Sequence, residues 1–135
     1  MNERYLVDTS LWIDALRPGG REDAARWLKA ALLAEAVVLA PPVKAELMLG
    51  ARDERQLADL EEMLAALPLL ESGSQIWETA ARLGFRARRK GIVVPLVDLL
   101  VASWAAADGC VLAHRDRHYE LIKEEAGIRT LSFLP

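Results

Sequence analysis

Four carboxylates of this 135-residue chain lie beside or inside apolar segments, where an acid is energetically costly. They are Asp8, Glu46, Asp98 and Asp116. Burying one unpaired carboxylate costs several kcal/mol, a large share of the roughly 5–15 kcal/mol that stabilises a whole domain. Because no buried basic residue is expected among them, a bound cation must compensate their charge. Oxygen donors favour a hard divalent ion, so the pattern predicts a Mg²⁺ site that Mn²⁺ could also occupy.

Each acid, taken alone, also has a simpler explanation. Asp8 follows an apolar run and could only cap the helix after it. Glu46 shares a helical face with Leu47 that should point inward, but it could also lie at the rim of a rotated helix. Asp98 lies near a helix start, where the helix dipole favours a negative charge, and Asp116 could be a solvated loop acid. The cation explanation gains weight only when the four acids are considered together.

The elements that must position these acids follow from the local patterns. Short apolar runs predict strands at 5–7, 37–40, 110–113 and 128–131, with a brief strand at 68–70. Amphipathic or apolar periodicity predicts helices at 11–16, 22–33, 42–50, 53–67, 75–90, 95–107 and 119–126. Thr9 or Ser10 should cap the first of these helices, and Ser72 or Ser74 the fifth.

Strands that alternate with helices predict a parallel α/β sandwich, with helices on both faces of the sheet. In such a sheet the carboxyl ends of the strands form one edge, and ligands bind there. Asp8 and Asp116 each follow a predicted strand at this edge. We therefore expect one domain over residues 1–135, with an acidic site at the carboxyl edge of its sheet.

Composition limits the classes of protein to which the chain can belong. Its net charge of −3 argues against coating nucleic acid by bulk attraction, although a local basic patch is still possible. The single Cys110 cannot form an internal disulfide and fits a reducing compartment. The N-terminal residues lack a signal pattern, and Glu35 and Asp98 interrupt the longest apolar stretches. We expect a cytoplasmic protein with no membrane span.

With the acids in this order, the chain resembles PIN-domain ribonucleases, and most closely the VapC-type toxins of toxin–antitoxin pairs. The resemblance spans nearly the whole chain and is carried by segments 7–13, 43–50, 91–92, 98–102 and 111–119. It implies a PIN-like three-layer α/β/α sandwich around a central, mainly parallel sheet. One departure is His114, which stands two positions before the last acid, where many members carry Thr or Ser.

The resemblance also implies a function and the residues that serve it. The protein would be a Mg²⁺-dependent endoribonuclease toxin of a type II pair, with Asp8, Glu46, Asp98 and Asp116 as its catalytic and metal-binding acids. Thr9, Ser10 and His114 would support these acids or hold metal-bound water. The implied partners are an RNA substrate, a VapB-type antitoxin that blocks the acids, and a second copy of the chain in a homodimer.

Basic, aromatic and histidine residues suggest further contacts. Five cations are candidate RNA phosphate ligands: Arg86, Arg89, Lys90, Arg115 and Arg117. The first three could equally be a solvated helix end, and the last two could pair with Asp116. His114 and His118 are four residues apart, but the lack of a nearby third nitrogen or sulfur ligand argues against zinc. We expect the four tryptophans to pack in the core and Asp14 to be a surface acid.

Three other classes of protein compete with the enzyme. A non-catalytic PIN-like scaffold that binds RNA or a protein is the main alternative, and the filled acid positions argue against it. A receiver-type signalling domain needs adjacent acids after its first strand, where this chain has Thr9 and Ser10. An Asp-x-Asp phosphatase is excluded because Ser10 occupies the position of its second Asp.

Overall fold

A computed structural model describes residues 2–71 and 73–135 of the chain. Its elements follow one another along the chain as β1 (Tyr5–Val7), α1 (Thr9–Leu16), α2 (Glu22–Leu33), β2 (Val37–Val38), α3 (Pro41–Leu49), α4 (Glu54–Ala65), α5 (Gln75–Arg89), α6 (Leu96–Asp108), β3 (Val111–His114), α7 (Arg117–Ala126) and β4 (Arg129–Ser132). The predicted order of strands and helices is confirmed, with ends that differ by a few residues, except that the brief strand predicted at 68–70 is only an isolated bridge. Ser72, one of the two predicted caps of α5, lies outside the described residues.

The strands form one sheet with the order β2-β1-β3-β4, and every neighbouring pair is parallel. β1 and β3 lie at its centre, with Val7 opposite Ala113. Helices α1 and α2 pack on each other, while α5, α6 and α7 form a second packed group. Right-handed crossovers place these two groups on opposite faces of the sheet. The predicted α/β/α sandwich with a parallel sheet is therefore confirmed.

The core lies between the sheet and these helices, and both central strands are buried. Trp12 and Trp104 pack in it as predicted. Trp27 is half-buried and packs edge-on against the ring of Tyr5. The prediction is wrong for Trp77, whose side chain is 58% exposed on α5. Its neighbours in the sequence are apolar enough to suggest a core position, but the helix turns this residue outward.

Differences at the element ends have local causes. The N-cap of α1 is Asp8 rather than Thr9 or Ser10, because the Asp8 carboxylate accepts the backbone N–H of Ser10. β2 is shorter than predicted, and Leu39 makes only an isolated parallel bridge to Leu69. Gly109 ends α6 in the left-handed conformation. None of the helices within the described ranges is long and apolar enough to cross a membrane.

Helix α6, which carries Asp98, is held close to α5 by a glycine. A Cβ atom added to Gly84 of α5 would lie 2.7 Å from the Leu99 Cδ1 atom of α6. Leu99 follows Asp98 directly and is buried. The absence of a side chain at position 84 therefore lets α6 approach α5 at the turn that carries the acid.

Candidate metal centre

Three of the predicted acids lie at the N-terminal ends of three different helices. Asp8 is the N-cap of α1, Asp116 is the N-cap of α7, and Asp98 lies in the first turn of α6. The backbone N–H of Asp8 donates to the carbonyl of Ala113 in β3 (2.9 Å), which joins the ends of the two central strands. Helix N-termini carry unpaired N–H groups and a partial positive charge, so each acid is partly stabilised by its own helix.

The Asp8 carboxylate is buried, with 5% of the residue exposed, and protein donors hold both of its oxygens. Oδ1 accepts the hydroxyl of Tyr119 at 2.6 Å. Oδ2 accepts the Ser10 N–H at 3.0 Å and the Ser10 hydroxyl at 2.5 Å. Ser10 Oγ in turn accepts the backbone N–H of Arg115 at 3.0 Å. The predicted supporting role of Ser10 thus has a direct contact with Asp8, and Tyr119 is a second support that the sequence did not suggest.

Asp98 and Asp116 converge on a histidine that was not among the predicted site residues. His118 Nδ1 lies 3.0 Å from Asp98 Oδ2 and 3.2 Å from Asp116 Oδ1. One ligand atom from each of the three side chains lies within 4.8 Å of the other two. Two carboxylates and an imidazole are a donor set that fits a divalent metal ion. Asp116 and His118 are two residues apart at the start of α7, which is the sequence signal that could have indicated His118.

The electrostatics of Asp98 show how crowded the acids are. Burial, followed by the charges of Asp116 and Asp8, raises the pKa of the Asp98 carboxyl to about 6. The hydrogen bond from His118 opposes this shift but does not cancel it. Burial and the same three carboxylates also raise the pKa of Tyr119, which therefore stays a hydrogen-bond donor. Three acids close enough to repel one another are what a bound cation would neutralise.

In chelator, the free energy of unfolding is expected to fall as the pH rises from about 4 to about 6. Asp98 has a pKa near 3.8 when unfolded and about 6 when folded, so the folded protein binds more protons in this window. The free energy of unfolding falls by at most about 3 kcal/mol over this pH range. Urea unfolding at pH 4.5 and 6.5 would measure it, and D98N should largely remove the difference. An equal fall in D98N would mean that another group causes it.

Glu46 lies at the rim of the site. It is exposed on α3 rather than turned inward, while its helical neighbour Leu47 is buried. Its Oε1 accepts the hydroxyl of Thr9 at 2.7 Å, directly beside Asp8 in the chain. Of the two predicted alternatives the rim position is thus the correct one, and the inward-facing orientation is wrong. Thr9 supports Glu46 rather than Asp8.

His114 does not act as the expected substitute for a hydroxyl that holds a catalytic carboxylate or metal-bound water. It is fully buried, and its Nδ1 accepts the backbone N–H of Asp116 at 3.0 Å. The remaining ring nitrogen, Nε2, therefore carries the proton and donates to Glu120 at 2.8 Å. His114 holds the backbone of the turn that presents Asp116, which is a task that a Thr or Ser hydroxyl at this position can also perform.

Glu120 anchors this histidine as a carboxylate. Burial opposes its ionisation, but hydrogen bonds from Lys123, Thr130 and His114 outweigh that cost and lower the pKa of Glu120 to about 2. The Thr130 hydroxyl lies 2.6 Å from it and the Lys123 ammonium 2.7 Å. The turn before α7 is thereby connected to β4 and to the helix itself.

Asp14 is not the surface acid that its helical position suggested. Only 3% of the residue is exposed, and its Oδ1 accepts Arg115 Nη1 at 2.6 Å and Arg17 Nη2 at 2.9 Å. Its Oδ2 has no hydrogen-bond partner among the described residues. Arg115 thus pairs with Asp14 of α1, not with Asp116. This contact joins the loop after β3 to the helix that begins at Asp8.

The other predicted RNA ligands are partly engaged within the protein. Arg86 and Lys90 both pair with Glu125 of α7, at 3.3 Å and 2.7 Å. The Arg89 guanidinium lies 5.8 Å from the centre of the Phe85 ring. Arg117 is exposed in the first turn of α7, next to the acids. Arg86 and Lys90 therefore join the C-terminal end of α5 to α7 through Glu125.

The fold and the arrangement of acids can be compared with known proteins. A family model described as the PIN domain matches residues 5–125. The chain belongs to the PIN domain family. Two mycobacterial PIN relatives are each 31% identical over 132 residues, covering 95% of this chain and 98% of the relative. They are VapC ribonuclease Mb1587 from Mycobacterium bovis and Ribonuclease VapC11 from Mycobacterium tuberculosis.

A solved structure gives the same fold. This PIN domain is similar to a chain of the DNA-bound VapBC from Salmonella typhimurium, with a TM-score of 0.76 and 22% identity. The match covers 97% of this chain and 98% of that one. At this identity the likeness establishes the shared fold alone.

Proposed function

We propose that this PIN domain is a Mg²⁺-dependent endoribonuclease, acting as the toxin of a type II toxin–antitoxin pair. The observation that carries the proposal is the convergence of Asp8, Asp98 and Asp116 at three helix N-termini, with the pKa of Asp98 raised by burial and by the other two acids. The mycobacterial relatives, which are named ribonucleases, support the reaction class. Glu46 completes the acid set from the rim, through its contact with Thr9.

The donor set of the site fits a divalent ion. Asp98 and Asp116 would hold it, Asp8 would contribute charge from its buried position, and Glu46 would orient water at the rim. When bound, the ion would neutralise phosphate charge and lower the pKa of a water molecule for attack on phosphorus. Ser10 and Tyr119 fix both oxygens of Asp8, so this carboxylate cannot turn away as the ion and the substrate arrive. His114 keeps the Asp116 turn in place in the same way.

The RNA substrate needs cations outside the acidic pocket. Arg117 is exposed at the start of α7, and the last turn of α5 adds Arg88 and Arg89. We propose these side chains as phosphate contacts, with Arg86 and Lys90 contributing from their pairs with Glu125. Arg115 supports the site through Asp14 instead.

The buried Cys110 thiol, with its pKa raised to about 12 by burial and Asp108, suits action in the cytoplasm.

The proposed antitoxin has a groove beside the acids to occupy. The groove has a volume of about 560 Å³ and is bordered by Glu46. Its walls include the exposed side chains of Ile13 and Leu16, together with Arg17 and Arg52. An amphipathic helix or extended segment lying there would cover Glu46. The solved VapBC complexes, which pair such a chain with an antitoxin, support this assignment.

The proposed homodimer would use a different face. Trp77, Ala81 and Phe85 form one stripe of α5, and the two aromatic side chains are more than half exposed. Leu96 at the start of α6 borders the same surface. Large exposed apolar side chains clustered in this way are typical of protein–protein interfaces.

Purified antitoxin-free protein is expected to cut a total RNA pool in Mg²⁺ or Mn²⁺ and to stop cutting in excess chelator. Mapping the 5′ ends of the products identifies the substrate. A contaminating metal-independent nuclease would go on cutting in chelator, and refilling the chelated protein with Mg²⁺ should restore the same ends, which shows that chelation removed the ion without damaging the protein. Absence of both cleavage and metal binding would favour the alternative, a non-catalytic PIN-like scaffold that binds RNA or protein.

A further inference from the structure

A histidine lies between two of the acids, at the point where they converge. His118 Nδ1 is 3.0 Å from Asp98 Oδ2 and 3.2 Å from Asp116 Oδ1. We propose that His118 is a metal ligand through Nδ1, and that the centre is therefore selective for transition-metal ions such as Mn²⁺ or Co²⁺ over Mg²⁺. This inference rests on the metal centre of the proposed function and adds a nitrogen donor to it.

The spacing of the three atoms suits coordination of one ion. Ligands at about 2.1 Å from an octahedral ion lie about 3.0 Å apart when they are adjacent. The two observed separations from Nδ1 have this length, and the three donor atoms form one compact group. An ion entering the group would need only small side-chain movements, because it would replace the proton of the hydrogen bond between Nδ1 and Asp98 Oδ2, with Asp116 Oδ1 already near Nδ1.

The backbone holds His118 in this place. Asp116 is the N-cap of α7, and its Oδ1 accepts the backbone N–H of His118 at 2.9 Å. The same carboxylate oxygen therefore contacts both the backbone and the ring of His118. Because the cap fixes the relative position of the two residues, His118 and Asp116 are presented to Asp98 as one unit.

The second histidine of the chain cannot take this role. The sequence contains two histidines, His114 and His118. His114 is fully buried, with Nδ1 accepting from the Asp116 backbone and Nε2 bonded to Glu120. The His118 side chain is 29% exposed, so an ion can reach its Nδ1 from solvent. Any imidazole nitrogen bound to a metal in this protein is therefore assigned to His118.

A nitrogen ligand changes which ion the site prefers. Carboxylates and water suit both Mg²⁺ and Mn²⁺, but an imidazole ligand favours transition-metal ions, whose affinity for such a site increases from Mn²⁺ to Co²⁺ and beyond. Mg²⁺ also loses its water reluctantly and keeps mostly oxygen ligands. A centre of Asp98, Asp116 and His118 would bind Mg²⁺ through two carboxylates only, but would gain a third protein ligand with Mn²⁺ or Co²⁺.

The experiment is electron spin echo envelope modulation on the tag-free protein loaded with MnCl₂, which detects nitrogen bound to Mn²⁺. We expect ¹⁴N modulation in the wild-type protein. In protein grown with ¹⁵N-histidine, ¹⁵N modulation should replace it, and in His118→Asn the modulation should be lost. In titrations with CoCl₂ and MgCl₂, His118→Asn should weaken Co²⁺ binding by at least about tenfold and Mg²⁺ binding much less. His118→Asp, which restores an all-oxygen set, should shift the preference towards Mg²⁺.

The outcomes separate this inference from the proposed function. Mn²⁺ binding without histidine nitrogen modulation would overturn the His118 ligand and leave an all-carboxylate metal centre intact. Modulation that persists in His118→Asn would overturn the assignment to this residue. A wild-type protein that binds neither Mn²⁺, Co²⁺ nor Mg²⁺ would contradict the metal centre itself, and with it the proposed nuclease. Equal weakening of Co²⁺ and Mg²⁺ binding would overturn the selectivity.

Discussion

The Asp98→Asn variant is expected to cleave RNA at least about 10³-fold more slowly than the wild-type protein while gaining stability above pH 6. The amide is a neutral and poor metal ligand, so the site loses one of the two carboxylates that converge on His118. The same change removes a carboxylate whose ionisation is opposed by burial, Asp116 and Asp8. Activity and stability should therefore move in opposite directions.

Cleavage rates on a mapped RNA in Mg²⁺ and urea unfolding curves at pH 7 in chelator, both from the same preparation, measure the two effects. Asp59→Asn is a matched control, because it removes one charge from an exposed acid on α4. It should leave both quantities near those of the wild-type protein. An Asp98→Asn variant that retains near-wild-type cleavage would contradict the role of Asp98. A variant that is inactive because it is unfolded would be recognised from the unfolding curve.

Arg115→Met is expected to lower the free energy of unfolding by about 2–3 kcal/mol, far more than the loss of an exposed cation would. It would leave the buried Asp14 carboxylate with Arg17 alone, and Arg17 is mostly exposed. Breaking a buried ion pair from one side typically costs about 3–5 kcal/mol, and the remaining Arg17 reduces that figure. Methionine preserves most of the volume of the arginine stem, so packing losses stay small.

Arg117→Met provides the control. Arg117 is exposed and lies two residues after Arg115, so this substitution also removes one positive charge but leaves no buried acid unpaired. It should change stability by less than about 0.5 kcal/mol, while weakening RNA binding and reducing its salt dependence. The double variant Asp14→Leu with Arg115→Met should recover much of the loss, because no buried charge is left unpaired. Unchanged stability in Arg115→Met with weaker RNA binding would instead assign Arg115 to the substrate.

The sequence predicted the fold well because the signals were local. Short apolar strands such as 5–7 and strongly periodic helices such as 75–90 are fixed by residues close together in the chain. The acid positions at strand ends were predictable for the same reason. Asp8 and Asp116 each follow the end of a strand, and parallel pairing of β1 with β3 brings those ends together.

The parts that sequence reasoning missed depend on the rotation of helices and on long-range pairs. Glu46 had two predicted positions, facing inward or at the rim, and only the packing of α3 decides for the rim. Asp14 follows the helical pattern of a surface acid, and only Arg115, 101 residues away, explains its burial. For His118, the two-residue spacing from Asp116 was the available sequence signal, but its other partner, Asp98, lies on a different helix.

The pairing of the two central strands has a consequence for synthesis of the protein. Asp8 is made early, but its amide bonds to Ala113, and its carboxylate to Tyr119, only after more than 100 further residues have been added. A nascent chain that ends before β3 therefore cannot assemble the acidic cluster, however long it stays on the ribosome. The acidic cluster around Asp8 is therefore assembled only after residue 119 has been synthesised.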